Sequence, residues 1–304
     1  MPTNYTHFLD GKEFNPQALK EVIDLAGELK LERDEGHLRT DLKGKTLAML
    51  FDKPSLRTRM SFSVAMTELG GNVIESSASL RKQEEPEDVA GVVSSYVHAV
   101  MIRTYGHDLV QRFAGKSKVP VINGLTDEHH PCQALADILT IKQKFGNLEG
   151  MKLAYIGDGN NCLHSLMILA PMLGIDLHYS CPKTYQPDGR IYEWASLRNN
   201  AGKIVSHETP EQAVSGVDAI YTDVWASMGF EEENEVRIKA FQGYQLNKRL
   251  HSLAQNNAII LHCMPMIRGQ EISSEMADHK QSAIYQQAEN RLHVQKALLL
   301  KLIK

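Results

Sequence analysis

No apolar run in this sequence approaches the roughly 18 residues needed to span a bilayer, which argues against a membrane-spanning helix. Cysteine is scarce and scattered. Cys132, Cys162, Cys181 and Cys263 form no C-x-x-C pair, and the pattern reads as reduced thiols in a cytoplasmic protein. Charge of one sign is missing too. With 33 Lys+Arg against 37 Asp+Glu the formal net charge is −4, so nothing global favours nucleic acid or a membrane surface. An anionic substrate would need a local cluster of arginines and helix ends. The opening Met1-Pro-Thr-Asn-Tyr5 has no basic segment followed by an apolar one, so no secretory signal is expected. No Walker pattern occurs, which removes a nucleotide P-loop.

What is present is an ordinary globular balance, 42% hydrophobic and 23% charged, in 304 residues, long for one domain and comfortable for two. Short aliphatic runs alternate with amphipathic stretches. Lys45–Phe51, Asn72–Glu75, Ala99–Thr104 and Val119–Ile122 read as strands, with helices Thr58–Leu69, Pro86–Val97 and His107–Ala114 between them. A longer helix, Pro131–Phe145, precedes a polar turn, Gly146–Gly150, and the rhythm then repeats. Strands Lys152–Ile156, Asp176–Ser180, Ile204–His207, Ala219–Thr222 and Ala258–His262 follow, with a helix Asn161–Leu173 and a final amphipathic helix from about Gln287 to Ile303. Strands spaced by helices imply right-handed βαβ units and parallel sheets.

The expectation is an α/β protein with two doubly wound parallel-sheet domains, 1–145 and 146–285, and a C-terminal helix, 286–304, returning to the first. In such sheets ligands sit beyond the carboxyl ends of the strands. Five polar clusters fall there: Lys53–Arg59, Arg103, His129–Gln133, Gly157–Asn161 with Asp223–Gly229, and His262–Pro265. That coincidence argues for a site in a cleft between the domains.

Each cluster has its own chemistry. Ser55 suits the N-cap of a helix whose free first-turn N–H groups bind anions. Arg57 and Arg59 add forked donors for phosphate oxygens, and Thr58 adds a hydroxyl. On spacing alone, a capped helix with solvated arginines stays open as the lesser alternative. Arg103 ends a strand, while His130 and Gln133 flank a helix start; together they offer donors for a carbonyl oxygen and a partner for an amide. A structural histidine is the plainer account of His130. His129-His130 makes a poor metal pair, because adjacent side chains diverge and no third ligand is spaced for it.

Gly157-Asp-Gly-Asn-Asn161 resembles a dinucleotide turn, but Cys162 replaces the third glycine and Ser180-Cys-Pro-Lys183 supplies no ribose-binding acid. What remains is an Asn at a helix N-terminus, suited to a carboxylate. Asp223 and Ser227 follow an apolar strand and either cap a loop or bind an α-ammonium. Cys263, closing another apolar strand, reads by itself as a buried thiol.

Taken in order, these motifs carry a resemblance. Ser55-Leu-Arg-Thr-Arg59 resembles the S-x-R-T-R motif of the aspartate and ornithine carbamoyltransferases, and His130-Pro-Cys-Gln133 their H-P-x-Q. Asp223-Val-Trp-Ala-Ser-Met-Gly229, His262-Cys-Met-Pro265 (the usual form is H-C-L-P) and Gln287-Ala-Glu-Asn-Arg291 are similar to the ornithine branch. The likeness runs from about residue 5 to the C-terminus. It implies transfer of the carbamoyl group of carbamoyl phosphate to the side-chain amine of L-ornithine, giving L-citrulline and phosphate without metal or organic cofactor.

By the same resemblance Ser55, Leu56, Arg57 and Thr58 hold the phosphate, Arg103 and His130 polarise the carbamoyl carbonyl, and Gln133 takes the carbamoyl nitrogen. Arg291 contacts carbamoyl phosphate, Asn161 the ornithine carboxylate, and Asp223, Ser227 and the Met228 backbone the amino-acid head. Cys263 stands at the reacting centre and Met264 offers a backbone carbonyl. A homotrimer, or a multiple of trimers, with shared active sites is implied as well. One stretch departs: a loop near Ser79–Glu85 should carry a phosphate-binding Gln to a neighbouring subunit, yet Ser79 stands at that position, leaving Lys82 or Gln83 as substitutes.

Three rivals remain. One is a carbamoyltransferase for putrescine or an acylated ornithine, although Asp223 with Ser227-Met-Gly229 favours a free α-amino-acid head. Another is an NAD-dependent dehydrogenase. The third is an inactive relative serving as a binding subunit, against which Arg57, Arg103, His130 and Cys263 argue.

Overall fold

A computed structural model describes residues 7–76, 84–198, 201–226 and 234–303. The chain divides into two compact units: Met1–Leu139 with Glu289–Lys304, and Thr140–Ala288.

In the first unit, strands β1 (His7–Phe8), β2 (Thr46–Phe51), β3 (Asn72–Ser76), β4 (Ala99–Arg103) and β5 (Val121–Leu125) form one parallel sheet, ordered β1-β5-β4-β2-β3. Leu47 of β2 pairs with Ala99 of β4 on one side and Val73 of β3 on the other. The inner strands β2 and β4 are buried almost end to end, which is why TLAMLF and AVMIR are unbroken apolar runs rather than alternating ones. Edge strand β3, NVIES, is largely exposed. Strand β5 starts at Val121, later than the expected Val119, because Pro120 has no N–H to give a ladder.

Helices α1 (Pro16–Asp34), α2 (Leu56–Glu68), α3 (Pro86–Val93) and α4 (His107–Lys116) accompany this sheet, and α5 (Pro131–Phe145) starts in the same unit. Helix α1 fills a stretch to which the sequence reading assigns no element. Its signals are nonetheless strong. Asn15 caps it by accepting from the Ala18 N–H at 2.8 Å, Pro16 opens it, and Leu19, Val22, Ile23 and Ala26 are buried at helical spacing. Helix α2 ends in a two-glycine stop. Gly70, at φ +79°, and Gly71 donate to the Thr67 and Met66 carbonyls at 3.0 and 2.8 Å, satisfying acceptors the helix leaves open. Helix α3 stops at Val93, short of the expected Val97, where the Ser94 hydroxyl turns back onto the Ala90 carbonyl.

In the second unit, strands β6 (Lys152–Ile156), β7 (Asp176–Ser180), β8 (Ile204–Ser206), β9 (Ala219–Thr222) and β10 (Ile259–His262) form another parallel sheet, ordered β10-β9-β6-β7-β8. Helix α6 (Asn161–Met172) follows β6 and is buried along nearly its whole length. Helices α7 (Gly189–Ser196), α8 (Pro210–Val214), α9 (Asn234–Ala240), α10 (Lys248–His251) and α11 (Ser274–Ala277) complete this unit. Helix α12 (Ile284–Leu302) begins here and belongs to the first unit from Glu289 onward.

Both sheets reverse their winding at an inner pair of strands, between β2 and β4 in the first and between β6 and β9 in the second. Ligands of open parallel sheets collect at such reversals, beyond the carboxyl ends of the strands. The Ser55 turn follows β2 and Arg103 ends β4; the Asn160 turn follows β6 and Asp223 follows β9.

Candidate active site

At the carboxyl end of β2 the chain turns through Ser55, which is extended at φ −161° and ψ 107°. Its hydroxyl accepts from the Thr58 N–H at 3.3 Å, making Ser55 the N-cap of α2. The N–H groups of Leu56 and Arg57 are left outside the helical ladder at the positive end of the helix dipole. The Leu56 side chain is exposed, so this residue offers backbone only. Among the described residues Arg57 forms no hydrogen bond or ion pair. Arg59 is different. Glu75 holds its guanidinium at 2.8 Å over the Phe51 ring, so the second phosphate fork expected from the sequence is occupied by edge strand β3.

Thr58 is fully buried and collects the cations behind this turn. Its hydroxyl accepts from Arg291 Nη2 at 2.7 Å and, more weakly, from Arg103 Nη1 at 3.5 Å. Arg291 Nη1 also donates to Gln133 Oε1 at 3.3 Å, and Gln133 Nε2 donates to Asp137 Oδ1 at 2.8 Å. Arg291 is therefore a buried member of the cluster. His130 is 5% exposed. Burial first, then the charges of Arg291, Arg103 and Arg57, hold its pKa well below the ordinary 6.5. The ring is neutral at pH 7 and can donate one N–H without adding charge. The assembly is cationic and withdrawn from water, matched to a phosphate and to a carbonyl oxygen gaining negative charge.

The second unit builds a different site. Asp223, just past β9, accepts at Oδ1 from the Cys263 thiol at 2.8 Å and the Val224 N–H at 2.8 Å. Its Oδ2 accepts from Asn160 Nδ2 at 2.7 Å. Asn160 Oδ1 faces the other way, accepting from the Cys162 N–H at 3.0 Å and the Tyr155 hydroxyl at 3.1 Å. Asn160 rather than Asn161 is thus the N-cap of α6; Asn161 is the first helical residue and half-buried. The sequence reading missed Asn160. Two adjacent asparagines have the same capping preference, and only the fold distinguishes them.

Sulfur and carboxylate atoms of Cys162, Asp223 and Cys263 lie within 4.8 Å of one another. A soft cation would suit that donor set only with thiolates. The Cys162 contact, burial and Asp223 together push the Cys263 thiol well above its ordinary pKa, so it keeps its proton and donates it to Asp223. Met264 adopts φ +57°, rare for a residue with a β-carbon. Its N–H donates to His262 Nδ1 at 2.9 Å, while His262 Nε2 bonds buried Glu271 at 2.9 Å, bracing that backbone turn.

The glycine-rich turn has a packing explanation. A β-carbon on Gly159 would lie 2.3 Å from Pro187 N and 2.4 Å from Gln186 C, so only glycine lets these backbones meet. Asp158 is occupied by Arg237, which donates to it at 2.8 Å and to the Trp225 carbonyl at 2.9 Å. Arg237 lies on α9 in a stretch with no sequence signal of its buried role. Ser227 and Met228, and the loop residues Ser79, Lys82 and Gln83, lie outside the described residues.

Comparison with known proteins bears on both halves. Residues 6–143 match the family model of the aspartate/ornithine carbamoyltransferase carbamoyl-P binding domain, and residues 149–302 that of the Asp/Orn binding domain. The chain is 44% identical over 299 residues to the ornithine carbamoyltransferase of Methanocorpusculum labreanum, covering 97% of each chain. It is 45% identical over 301 residues to that of Carboxydothermus hydrogenoformans, again with 97% of each covered. The solved ornithine carbamoyltransferase of Pyrococcus furiosus superposes with a TM-score of 0.95 at 42% identity, over 100% of this chain and 98% of that one.

Proposed function

Because the chain belongs to the aspartate/ornithine carbamoyltransferase family, we propose that it transfers the carbamoyl group of carbamoyl phosphate to the side-chain amine of L-ornithine, releasing L-citrulline and phosphate. The observation that carries this reading is the gathering of Arg57, Arg103 and Arg291 with a buried, neutral His130 behind the capped start of α2. Carbamoyl phosphate binds with its phosphate on Ser55, Leu56, Arg57 and Thr58 and its carbonyl oxygen toward Arg103 and His130. Gln133 and Arg291 take its remaining polar atoms. Asn161, Asp223, Ser227 and the Met228 backbone hold the amino-acid head of ornithine, and Met264 offers a backbone carbonyl.

An amine like that of lysine has a pKa of about 10.4, so roughly one molecule in a thousand is neutral near pH 7.4. Burial beside Cys263 favours the neutral form. The amine gives up its proton to the Cys263–Asp223 pair, Cys263 receiving it only as its own proton moves along the 2.8 Å thiol–carboxylate bond. The freed lone pair attacks the carbamoyl carbon, and Arg103, His130 and Thr58 stabilise the oxygen that gains charge. The carbon–oxygen bond to phosphate then breaks, its electron pair leaving with the phosphate onto Arg57 and the first turn of α2, and the departing phosphate takes up the second proton of the attacking nitrogen. Each step is assigned to a side chain, and the scheme calls for no metal or organic cofactor.

We place the enzyme in the cytoplasm as a homotrimer, or a multiple of trimers, whose active sites each take a loop from a neighbour. The four free cysteines favour the compartment. No helix of the described residues is long and apolar enough to cross a membrane. The test is citrulline formation with ornithine, putrescine and N-acetylornithine as acceptors. Strong preference for ornithine is expected; equal turnover of putrescine would show that Asp223 does not read an α-amino-acid head.

A further inference from the structure

Beside the carbamoyl phosphate site, and not used by the proposed reaction, the carboxyl edge of the first sheet gathers three buried metal-ligating side chains. Asp10 follows β1, His107 opens α4 after β4, and His129 lies between β5 and α5. All three are buried, at 7%, 6% and 0% exposure, and one ligand atom from each lies within 4.8 Å of the others. The two imidazoles meet edge to face, 4.7 Å between centroids. The sequence reading paired His129 with its neighbour His130 and found no third ligand. The fold instead turns His129 toward residues far away in the chain.

Of the two His107 ring nitrogens, Nδ1 is engaged and Nε2 is open. The Thr126 hydroxyl donates to the His129 carbonyl at 3.4 Å and accepts from the His129 N–H at 3.1 Å. His107 Nδ1 lies 3.2 Å from the same hydroxyl oxygen. In the tautomer protonated on Nδ1 this contact is a bond to the Thr126 hydroxyl, and Nε2 presents a lone pair. That Nε2 is buried and has no hydrogen-bond partner among the described residues. A ligating histidine needs this arrangement, one ring nitrogen tied to an outer partner and the other bare. Two imidazoles and one carboxylate form a donor set suited to a divalent ion of the zinc type, with a fourth position left for water.

We propose that Asp10, His107 and His129 form a binding site for one divalent transition-metal ion of the zinc class, which ties together three loops next to His130. Around Zn²⁺, with bonds of about 2.0–2.2 Å, neighbouring ligand atoms stand about 3.3 Å apart, so small side-chain rotations close the site. Lys12 competes with the metal. Its ammonium pairs with Asp10 at 2.7 Å from a partly exposed position and must swing aside when an ion enters. The proposal is independent of the carbamoyl-transfer chemistry, since none of the three ligands is assigned a role in it.

The experiment uses the full chain, freed of metal with a chelator, titrated with Zn²⁺ by calorimetry and with Co²⁺ by absorption. One ion per chain is expected, with no sulfur-to-cobalt charge-transfer band and a higher melting temperature in its presence. His107→Gln and Asp10→Asn should each weaken binding by more than the roughly 10- to 100-fold that loss of an outer-shell partner brings. Lys12→Met should tighten it, an effect that a general loss of structure cannot produce. Cys263→Ala should leave it unchanged. Binding that survives His107→Gln but disappears in Cys263→Ala would move the ion to the thiol cluster and overturn the proposal. So would no binding at millimolar Zn²⁺, or a Lys12→Met variant no tighter than its parent.

Discussion

Replacing Asn160 separates two functions that one side chain performs. Its carbonyl oxygen caps α6, and its amide nitrogen donates to Asp223 at 2.7 Å. Loss of an N-cap costs about 1 kcal/mol of stability. Loss of a hydrogen bond to a charged carboxylate costs about 1.5–3 kcal/mol, equivalent to roughly 10- to 150-fold in binding or rate. Asn160→Ala should lower both stability and kcat/KM for ornithine, while KM for carbamoyl phosphate stays close to the parent. Asn160→Asp is the sharper probe. Aspartate caps as well as asparagine, so the start of α6 should hold, yet a second carboxylate now faces Asp223 and repels it, at a cost in stability that is relieved as pH falls. When one of the pair is protonated, its O–H replaces the lost donor. The deficit in kcat/KM relative to the parent should therefore shrink as pH falls. The assay is steady-state kinetics on both substrates across pH, with thermal melts alongside. A kcat/KM for ornithine within about threefold of the parent in both variants would refute the idea that Asn160 positions Asp223.

Four further outcomes can be checked directly. Arg57→Lys keeps the charge but loses the planar fork, and should reduce kcat/KM for carbamoyl phosphate by about 10- to 150-fold; a change of only a few-fold would remove Arg57 from the phosphate. Cys263→Ala should fold, raise KM for ornithine and shift the pH–rate profile, whereas an unchanged profile would leave the thiol a packing role only. Stability should fall as pH drops from about 6.5 toward 4, because unfolded histidines take up protons that burial denies to His107, held near pKa about 4, and to His130. His107 alone accounts for at most about 3 kcal/mol by pH 4, and urea titrations of His107→Gln at pH 7 and pH 4.5 should show a smaller acid loss. Finally, co-refolding an Arg57 variant with a variant altered at Lys82 and Gln83 should restore carbamoyl transfer neither parent shows; proven mixed trimers without activity would confine the loop to its own chain.

The sheet architecture was legible because parallel strands buried on both faces leave unbroken aliphatic runs, as in β2, β4 and β6. The Ser55 cap was legible for a similar reason, since its signal is local and chemical. Helix α1 has equally local signals, in its Asn15 cap, its Pro16 start and its apolar spacing. Other features are settled only by tertiary contact. Arg59 and Arg57 look alike in the motif, yet Glu75 on a neighbouring strand captures one and leaves the other. Arg291 looks like a surface residue of a terminal helix until Thr58 and Gln133 close around it. Asn160, Arg237 and the meeting of His129 with Asp10 belong to the same class, because no sequence spacing encodes contacts between distant loops.

The first unit is interrupted in sequence, and this bears on how the protein is made. Its sheet and the Ser55–Thr58 turn are translated early, but Arg291 lies in the closing segment Glu289–Lys304. At about 5–20 residues per second, roughly 10–30 s of synthesis separates Leu139 from the last residue. The second unit, continuous from Thr140 to Ala288, can complete its core during that interval. On the ribosome the half translated first is therefore finished last. A chain released before Arg291 keeps Thr58, Arg103 and His130 but lacks the guanidinium that joins Thr58 to Gln133, so premature termination yields a molecule with an intact ornithine half and a defective anion pocket.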